Sequence, residues 1–329
     1  LGMKLHGFGG EGLNSVAYGL ANQEIERGDS GLRSFVSVMN ALVIYPIEVF
    51  GSAEQRERWL PALVKGEAIG CFGMTEPLAG SDPQSMRTTA VRDGGDYVLN
   101  GRKMWITNGE LAHVAVVWAQ TGQGIRGFLV EKGAPGFSAH PIRRKFSLRA
   151  SVTSALVLDA VRVPETSLLP GTTGLKSALM CLNEARYGIA WGAVGAAMAC
   201  YEAALDHAAT RIQFGAPIGA TQLVQSKLVK MLTEITKAQL LCIRLGRLKD
   251  EGKARPAQVS MAKMNNSAEA LKIARTARDI LGASGITLGH SVIRHMLNLE
   301  TVNTYEGTQD IHTLAIGRDI TGLSAFSCQ

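Results

Sequence analysis

The sequence predicts an α+β fold that is mostly α-helical, arranged in three consecutive segments. Three observations support this: apolar residues at helical spacing in residues 12–65, short β-rich runs in residues 70–165, and long helical periods in residues 172–325. The order of helices, strands and helices shows neither βαβ alternation nor an internal repeat. We therefore expect an N-terminal helical domain at 1–69, a middle β domain at 70–168 and a C-terminal helical bundle at 169–329.

The first segment carries an apolar stripe and a helix start signal. The stripe runs over residues 15–25, and Ser52 followed by Gln55 opens an amphipathic stretch through Trp59 and Leu63. The chain begins Leu1-Gly2-Met3 with no charged-then-apolar leader. We therefore expect no targeting segment, and we expect the native N-terminus to lie further upstream.

Four β-rich runs predict the strands of the middle domain. They are Asp96–Thr107, His113–Trp118, Ile125–Val130 and Ser154–Leu158. The Gly, Asn and Asp residues between them are typical of turns that connect short strands.

The third segment keeps a helical period over long distances. Met231, Ile235, Ala238, Cys242 and Leu245 are spaced 4, 3, 4 and 3 residues apart. This spacing predicts a helix with one buried face.

Composition favours a compact protein with closely packed helices. Hydrophobic residues make up 46% of the chain and charged residues 19%, below the ~25% typical of soluble domains, so we expect buried subunit contacts. The 37 glycines indicate close helix packing and ligand loops lined by backbone. The net charge of +6 includes no basic run longer than Arg143-Arg144-Lys145. A phosphate-rich small ligand therefore suits the charge, with nucleic acid as a minor alternative.

Residue spacing argues against disulfide, metal and membrane chemistry. His290 and His295 are five residues apart and so lie on different faces of a helix, and the longest small and apolar run, 188–200, is shorter than the ~20 residues that span a bilayer. We expect no metal, no membrane span and a reducing compartment, with bacterial cytoplasm favoured and the mitochondrial matrix for a eukaryotic source. The five cysteines, none in a Cys-x-x-Cys pair, are Cys71, Cys181, Cys200, Cys242 and Cys328.

Two glycine motifs are ambiguous from their pattern. Gly7–Gly12 satisfies G-x-G-x-x-G, yet no strand precedes it, so we interpret it as a loop and not as a dinucleotide site. Gly282–Gly285 interrupts a helical pattern. It either caps a helix, the favoured interpretation, or lets backbone approach a phosphate.

Three polar stretches are candidates for ligand contacts. Cys71–Asp82 and Trp105–Asn108 mix apolar residues with hydroxyls and could line a ligand, although ordinary turn chemistry explains them equally well. Thr304–Asp310 places Glu306 beside Gly307. A carboxylate projecting from such a bend into a cleft could act as a general base, although the pattern alone favours a solvated surface carboxylate.

These stretches, in this order and with Arg211–Gly215 and Gly282–Gly285 between the second and third, resemble the acyl-CoA dehydrogenase family. Six runs are similar to the glutaryl-CoA dehydrogenases of that family: Asp29–Ser34, Cys71–Pro77, Lys145–Ala150, Ala185–Trp191, Val292–His295 and Asn303–Thr308. The resemblance implies the family's fold: an N-terminal helical domain whose first helices are missing here, a middle β domain and a C-terminal four-helix bundle. It also implies a homotetramer with electron-transfer flavoprotein as electron acceptor.

The resemblance implies FAD as the cofactor. By matching position, contacts to the flavin and pyrophosphate fall on Phe72, Gly73, Met74, Thr75, Ser81, Trp105, Ile106 and Thr107. Contacts to the ADP half, across a subunit interface, fall on Arg211, Phe214, Gln222, Asp279, Ile280, Leu281, Gly282 and Ala283, and Thr308, Gln309 and Asp310 complete the set. Ala283 stands where relatives usually have glycine, a change that still allows close approach.

The resemblance also implies the roles of Glu306 and Arg33. Glu306 removes the α-proton of an acyl-CoA thioester while the β-hydrogen leaves as hydride to flavin N5, and the Glu306 backbone N–H polarises the thioester carbonyl. Arg33 pairs with the carboxylate of a dicarboxylic acyl chain, because a methyl-ended chain would leave a buried guanidinium uncompensated. The other implied substrate contacts are Glu26, Ser34, Ser81, Arg186, Tyr305, Gly307 and Phe326.

The implied activity is FAD-dependent oxidative decarboxylation of glutaryl-CoA to crotonyl-CoA and CO₂, a step of lysine and tryptophan degradation. Four alternatives stay open. Arg33 could form a purely structural pair with Glu26; the enzyme could stop before decarboxylation; it could be a short-chain acyl-CoA dehydrogenase or oxidase; or it could be a DNA-binding flavoprotein relative, suggested only by the net charge.

Overall fold

The computed structural model describes residues 1–326, so Cys328 lies outside the described residues. Contacts group the chain into two compact units. Unit 1 comprises Leu1–Leu13, Ser34–Lys145 and Ser151–Ala185, and unit 2 comprises Asn14–Arg33, Phe146–Ala150 and the chain from Arg186 onward. The three domain boundaries expected along the chain stay a prediction, because this grouping divides the chain differently.

The protein has the mostly helical α+β fold that the sequence predicts. The α-helices of the described chain are α1 (Ser15–Gly28), α2 (Ser30–Ser37), α3 (Tyr45–Phe50), α4 (Ala53–Lys65), α5 (Gly174–Thr210), α6 (Gln222–Asp250), α7 (Pro256–Ile280), α8 (Val292–Thr304) and α9 (Gln309–Thr321). A π-helix, Val38–Ile44, joins α2 to α3. The strands are β1 (His6–Gly7), β2 (Gly10–Glu11), β3 (Gly70–Gly73), β4 (Thr89–Asp93), β5 (Asp96–Thr107), β6 (Val114–Thr121), β7 (Gly124–Glu131), β8 (Phe137–Pro141), β9 (Thr153–Pro164), β10 (Ile212–Gln213) and β11 (Ala216–Pro217).

A seven-stranded sheet forms the centre of unit 1. Its order is β3-β6-β4-β5-β9-β8, with β7 paired to β6, and the four β-rich runs of the sequence are confirmed as β5, β6, β7 and β9. β3 lies parallel to β6, and β5 lies antiparallel to β9. The register of β5 on β9 shifts between Lys103 and Ile106, a β-bulge of the kind that bends a strand and redirects a side chain.

Strand β6 is buried on both faces. Val114, Val116 and Trp118 belong to an apolar cluster with the π-helix and α4, whereas Ala115 and Val117 belong to a second cluster with β7 and β9. Alternate side chains of a strand point to opposite faces, so these two clusters cover the sheet from both sides. This is why the sequence of β6 is continuously apolar and does not alternate.

Helix α4 begins with a capping box. The Ser52 hydroxyl accepts a hydrogen bond from the Gln55 backbone N–H at 3.2 Å, and the Gln55 side chain accepts one from the Ser52 N–H at 2.9 Å. Gly66 ends the helix in the left-handed conformation, with φ +78. The start signal at Ser52 is therefore confirmed.

Two helical stretches, Ser30–Phe50 and Gly174–Thr210, are long and apolar enough to cross a membrane, judged by length and composition alone. In the most apolar part of each stretch, 61% of the first and 67% of the second is buried within the protein. Core helices of folded proteins meet the same criteria of length and composition. The apolar run at 188–200 is therefore part of a much longer helix than its own length indicates.

Long helices make up unit 2, and glycines let two of them approach closely. The predicted stripe is buried along α6. A Cβ on Gly192 of α5 would lie 2.0 Å from Glu26 Oε2, and one on Gly195 would lie 1.9 Å from the carbonyl oxygen of Gln23. Both positions must therefore be glycine for α1 to pack against α5, as the glycine content suggested.

The two glycine motifs form local structure. The Gly7–Gly12 run lies in a small hairpin in which His6 of β1 lies opposite Glu11 of β2. Gly282 follows α7 with φ +58, the conformation of a helix cap. Among residues 1–326, no group of three or more His, Cys, Asp or Glu side chains is placed to hold a metal, and the four described cysteines are free and buried.

Candidate active site

Helices α8 and α9 are joined by a short linker, residues 305–308, that carries Glu306. Glu306 has φ +52 and Gly307 has φ +106, so two consecutive residues adopt positive φ. A left-handed conformation costs a residue with a Cβ roughly 1–2 kcal/mol, and it persists where surrounding contacts fix it. Gly307 also has no room for a side chain, because a Cβ there would lie 2.8 Å from the His312 ring.

Two cationic side chains hold the backbone of this linker. Arg186 of α5 donates from Nε to the Glu306 carbonyl oxygen at 2.7 Å. Lys263 of α7 donates from Nζ to the Gly307 carbonyl at 2.8 Å and to the Asn303 carbonyl at 3.3 Å. Hydrogen bonds from charged donors are stronger than neutral ones, so the bend is fixed from two helices.

The Glu306 carboxylate has no hydrogen-bond donor at one of its oxygens. Although the residue as a whole is half-buried, Oε2 is fully enclosed and accepts no hydrogen bond from any described residue. Burial raises the pKa of Glu306 to about 6, against the opposing charges of Arg33, Arg186 and Lys263. Such a carboxylate is mostly ionised at pH 7 and accepts a proton more readily than an ordinary glutamate, which suits a general base.

Arg33 of α2 is 1% exposed and is held from two sides. Its Nε donates to the Glu26 carboxylate and its Nη2 donates to the Tyr305 hydroxyl. Burial lowers the pKa of Arg33, but the Glu26 carboxylate outweighs this and holds the pKa above its usual value. Nη1 makes no hydrogen bond to any described residue, so one edge of the guanidinium is available to a ligand.

The charges around the linker do not balance. Arg33, Arg186 and Lys263 are basic, whereas Glu26 and Glu306 are the two carboxylates that face them. With all of these groups ionised, the cluster has one more cation than carboxylates, and because burial lowers the pKa of Lys263 to about 7, this excess is complete below that pH. It therefore favours an additional anion.

Uncharged polar groups complete the surroundings of the linker. Gln309 Nε2 donates to the Met264 carbonyl at 3.1 Å and to Ser267 Oγ at 3.3 Å. Burial lowers the pKa of His312 to about 3, so this imidazole is neutral at pH 7. It fills space against Gly307 without adding charge.

In unit 1, the bulge of β5 exposes an indole. Trp105 has φ +62 and is 61% exposed, whereas Lys103 is fully buried. Lys103 Nζ donates to the Glu76 carboxylate at 2.8 Å and to the Met74 carbonyl at 3.1 Å. The Met104 N–H donates to the Thr75 carbonyl at 2.8 Å. The segment from Met74 to Glu76 is thus fixed against the bulge.

These groups fit the flavin cofactor that the resemblance implies. The exposed Trp105 ring offers an apolar face that nothing in unit 1 covers fully. The side-chain hydroxyls of Thr75, Ser81 and Thr107 make no hydrogen bond to described residues, so they are available to polar atoms of a ligand. In unit 2, Phe214 is completely exposed on the hairpin of β10 and β11, with φ +51.

The structure brings six of the predicted residues together in unit 2: Glu26, Arg33, Arg186, Tyr305, Glu306 and Gly307. The Phe326 ring lies over the Arg318 guanidinium at 5.5 Å, and no described hydrogen bond or ring contact joins it to these six. Ser34 is buried on α2, Ser81 is exposed, and Asp279 pairs with Lys227 at 2.5 Å. The remaining predicted cofactor contacts lie as follows: Phe72, Gly73, Ile106, Ile280 and Leu281 are buried, Arg211, Gln222, Ala283 and Asp310 are exposed, and Thr308 caps α9. Their roles stay predictions.

The sequence analysis assigned no role to Lys263, Asn303 or His312, although Asn303 opens one of the six runs that carry the resemblance. For Lys263 a signal exists, because Val259, Ala262, Ala270 and Ile273 are small or apolar at helical spacing and place residue 263 on the buried face of α7. A lysine on such a face needs partners for its charge.

Family models match most of the chain in three parts. The models described as the N-terminal, middle and C-terminal domains of acyl-CoA dehydrogenase match residues 1–67, 71–161 and 172–321, respectively.

Individual proteins are also similar over nearly the whole chain. A crystal structure of glutaryl-CoA dehydrogenase from Mycobacterium smegmatis has 57% identity and a TM-score of 0.99, covering 99% of this chain and 84% of that one. A second, of a glutaryl-CoA dehydrogenase from the same organism in complex with FADH2, has 56% identity and a TM-score of 0.99, covering 99% and 85%. The mitochondrial short-chain specific acyl-CoA dehydrogenase of Homo sapiens is 38% identical over 315 residues, which are 94% of this chain and 76% of that protein.

Proposed function

The chain belongs to the acyl-CoA dehydrogenase family, and from this premise we propose that it oxidises glutaryl-CoA and releases CO₂, with Glu306 as the base. Family membership makes it an FAD-dependent oxidoreductase that acts on an acyl-CoA. The proposal adds the substrate, the decarboxylation and the electron acceptor. Two similar proteins with 57% and 56% identity are glutaryl-CoA dehydrogenases, which supports this choice of substrate.

The observation that carries the proposal is the placement of Arg33. Its guanidinium is buried, is bonded to Tyr305 immediately before Glu306, and keeps Nη1 available. A substrate carboxylate bound there would supply the anion that the excess positive charge favours. A methyl-ended acyl chain would instead place apolar atoms against a guanidinium edge that has lost its water, which costs free energy.

We assign the proton transfer to Glu306. Its raised pKa matches abstraction of an acidic α-hydrogen near neutral pH. Its backbone N–H donates to no described residue, so it is available to the thioester carbonyl, where negative charge develops as the α-proton leaves. Arg186 and Lys263 hold the linker that presents both groups.

When bound, FAD supplies the two-electron acceptor for the β-hydrogen. On this chain the groups that would hold the flavin end are Trp105 and the hydroxyls of Thr75, Ser81 and Thr107. Phe214 would contact the ADP half of an FAD bound to a neighbouring subunit. Electron-transfer flavoprotein is the proposed acceptor of the electrons.

Decarboxylation follows from the same site. Once the α,β double bond exists, the bond between the γ-carbon and the carboxylate can break, and its electron pair moves toward the thioester oxygen. Glu306, which now holds the α-proton, can return that proton to the γ-carbon. The products are CO₂ and crotonyl-CoA, and the step needs no additional reactant.

A homotetramer is the proposed assembly. Phe214 is completely exposed, and Leu223, Val229 and Leu240 of α6 are each more than half exposed. Apolar side chains exposed along one helix are typical of surfaces that another subunit covers.

One second candidate has support from specific observations. The Glu26–Arg33 pair is already complete within the protein, and the human relative acts on short-chain substrates by its name. A short-chain acyl-CoA dehydrogenase with a structural arginine is therefore the competing proposal.

The test is anaerobic mixing of the FAD-loaded protein with glutaryl-CoA, with butyryl-CoA as the comparison, while flavin bleaching and released CO₂ are followed together. Bleaching with CO₂, faster for glutaryl-CoA, is the expected result. Bleaching without CO₂ would point to an enzyme that stops at glutaconyl-CoA, and a preference for butyryl-CoA would favour the second candidate. Reduction of added electron-transfer flavoprotein, against O₂ in its place, tests the acceptor.

A further inference from the structure

Lys263 is a fully buried lysine on α7, and its ammonium makes hydrogen bonds only to backbone among the described residues. No carboxylate lies within ion-pair distance of it in that part of the chain. A buried ammonium without a carboxylate is costly, and burial lowers the pKa of Lys263 to about 7. The contacts that it does make therefore need an explanation.

The two carbonyls that Lys263 binds lie on opposite sides of Glu306. Asn303 is in the last turn of α8, where carbonyl groups have no partner within the helix and where a cation is favourable to the helix dipole. Gly307 follows Glu306 directly and has φ +106. One ammonium group therefore connects the chain before the bend to the chain after it.

We propose that Lys263 is a positioning residue for the base: its ammonium holds the Asn303 and Gly307 carbonyls and so keeps the Glu306 carboxylate aimed at the α-carbon, without pairing with that carboxylate. The proposal deepens the proposed function, since it takes Glu306 to be the base. An ion pair between the two side chains would lower the basicity of the carboxylate. Binding the backbone instead fixes Glu306 and leaves its side chain able to accept a proton.

The test separates positioning from simple support of the fold. Lys263→Met removes the ammonium and keeps the length of the side chain, and Lys263→Arg keeps a cation. Asn266→Ala is the matched control, because Asn266 is buried one turn further along α7 and its Nδ2 donates to the Ala190 carbonyl at 3.0 Å, away from the linker.

The first readout is exchange of the α-hydrogens of acetyl-CoA in D₂O by the FAD-loaded protein. Acetyl-CoA has no β-hydrogen, so exchange reports proton removal without oxidation. We expect Lys263→Met to exchange about 100-fold more slowly at unchanged acetyl-CoA affinity, because small misplacements of a reacting group have effects of that size. Lys263→Arg should recover part of the rate, and Asn266→Ala should exchange at the wild-type rate. Exchange by Lys263→Met at the wild-type rate would overturn the proposal.

The pH dependence of exchange gives a second signature. Lys263 is one of three cations that lower the pKa of Glu306, with Arg33 of α2 and Arg186 of α5. The other titratable groups around the linker are Glu26 of α1, Tyr305 and His312, and His312 is neutral at pH 7. Lys263→Met should therefore move the midpoint of the exchange profile to higher pH, which a loss of stability alone would not do.

The third readout does not depend on the proposed function. Backbone amides of residues 303–309 should exchange faster in Lys263→Met than in the wild type, while those of α6 stay protected. Unchanged protection of residues 303–309 would overturn the proposal. If the wild type exchanges no acetyl-CoA hydrogen, the assignment of Glu306 as base fails, and the amide measurement alone decides the positioning role.

Discussion

The Arg33 guanidinium donates a hydrogen bond to the Tyr305 hydroxyl, and the residue after Tyr305 is Glu306. The group proposed to bind the far end of the substrate is therefore connected to the proposed base through one side chain and one peptide bond. Consecutive Cα atoms are ~3.8 Å apart, which leaves little freedom between the two. Binding of the substrate carboxylate and placement of the base are thus parts of one arrangement.

Glu306→Gln should remove most of the dehydrogenation. The amide keeps the shape of the side chain and leaves the linker contacts in place, but it cannot accept a proton, so we expect bleaching to slow by ~10²–10⁴-fold. Stopped-flow absorbance with glutaryl-CoA measures the rate, and titration with crotonyl-CoA checks that binding is kept. Bleaching at nearly the wild-type rate would remove Glu306 from the base role.

The rate of bleaching should rise with pH through about 6, because Glu306 must be deprotonated to act and its pKa is raised to about 6. An ordinary glutamate would give a midpoint nearer 4.5. Single-turnover rates at constant ionic strength between pH 5 and 8 measure the midpoint. A profile that is flat across this range would contradict the raised pKa.

The raised pKa of Glu306 should also affect the stability of the protein, whose free energy of unfolding should fall as the pH rises. The pKa of Glu306 is higher in the folded state than its ordinary 4.5, so the folded state binds this proton more tightly than the unfolded state does. This contribution is complete below pH 4.5 and is lost as pH rises through 6, which amounts to about 2 kcal/mol. We expect the free energy of unfolding of Glu306→Gln, measured with urea, to increase relative to that of the wild type when the pH is raised from 5 to 7.5. An equal difference at both pH values would count against it.

Replacing Arg33 tests specificity separately from stability. Arg33→Met leaves Glu26 buried and unpaired, which should cost ~3–5 kcal/mol of unfolding free energy, and the double variant with Glu26→Gln should regain most of it. In the stable double variant, the preference for glutaryl-CoA over butyryl-CoA should fall by ~100-fold or more. Ratios of kcat/KM measure this, and a preference that survives would make the pair purely structural.

The close packing of α1 on α5 predicts a contrast between two glycines. Gly192→Ala would put a Cβ 2.0 Å from Glu26 Oε2 and should destabilise the protein by ~1–3 kcal/mol. Gly28→Ala, at the end of α1, has nothing within 4 Å of the new Cβ and should be neutral or slightly stabilising. Thermal unfolding of both variants makes the comparison, and equal effects would mean that α5 can move away from α1.

The sequence predicted β5 to its end residues, and it marked Glu306 as a carboxylate that could project from a bend, although the pattern alone favoured a solvated surface carboxylate. Strand periodicity and a Glu-Gly pair are local signals, so they can be seen without the fold. The bulge at Lys103 was not predicted, because one inserted residue leaves the β-rich composition of the run unchanged. The π-helix at Val38–Ile44 was not predicted for a similar reason, since an apolar helix with one wider turn has the same composition as a regular one.

Lys263 was missed because its role depends on distant residues. A lysine is expected at the surface, and the groups that bind it, the Asn303 and Gly307 carbonyls, lie 40 and 44 residues further along the chain. Backbone carbonyls also carry no sequence signal of their own. The charge balance of the site was therefore visible only once the helices were assembled.

The bulge in β5 places Lys103 and Trp105, which are two residues apart, on opposite faces of the sheet. In a regular strand, residues 103 and 105 would point to the same face, yet Lys103 is buried and Trp105 is 61% exposed. The one extra residue therefore reverses which residues face inward in the last part of the strand. The exposed position 105 can then change during evolution without altering the buried position 103. Deleting Met104 would remove the bulge and make the ammonium and the indole neighbours in a regular strand, where alternation still places them on opposite sides of the sheet.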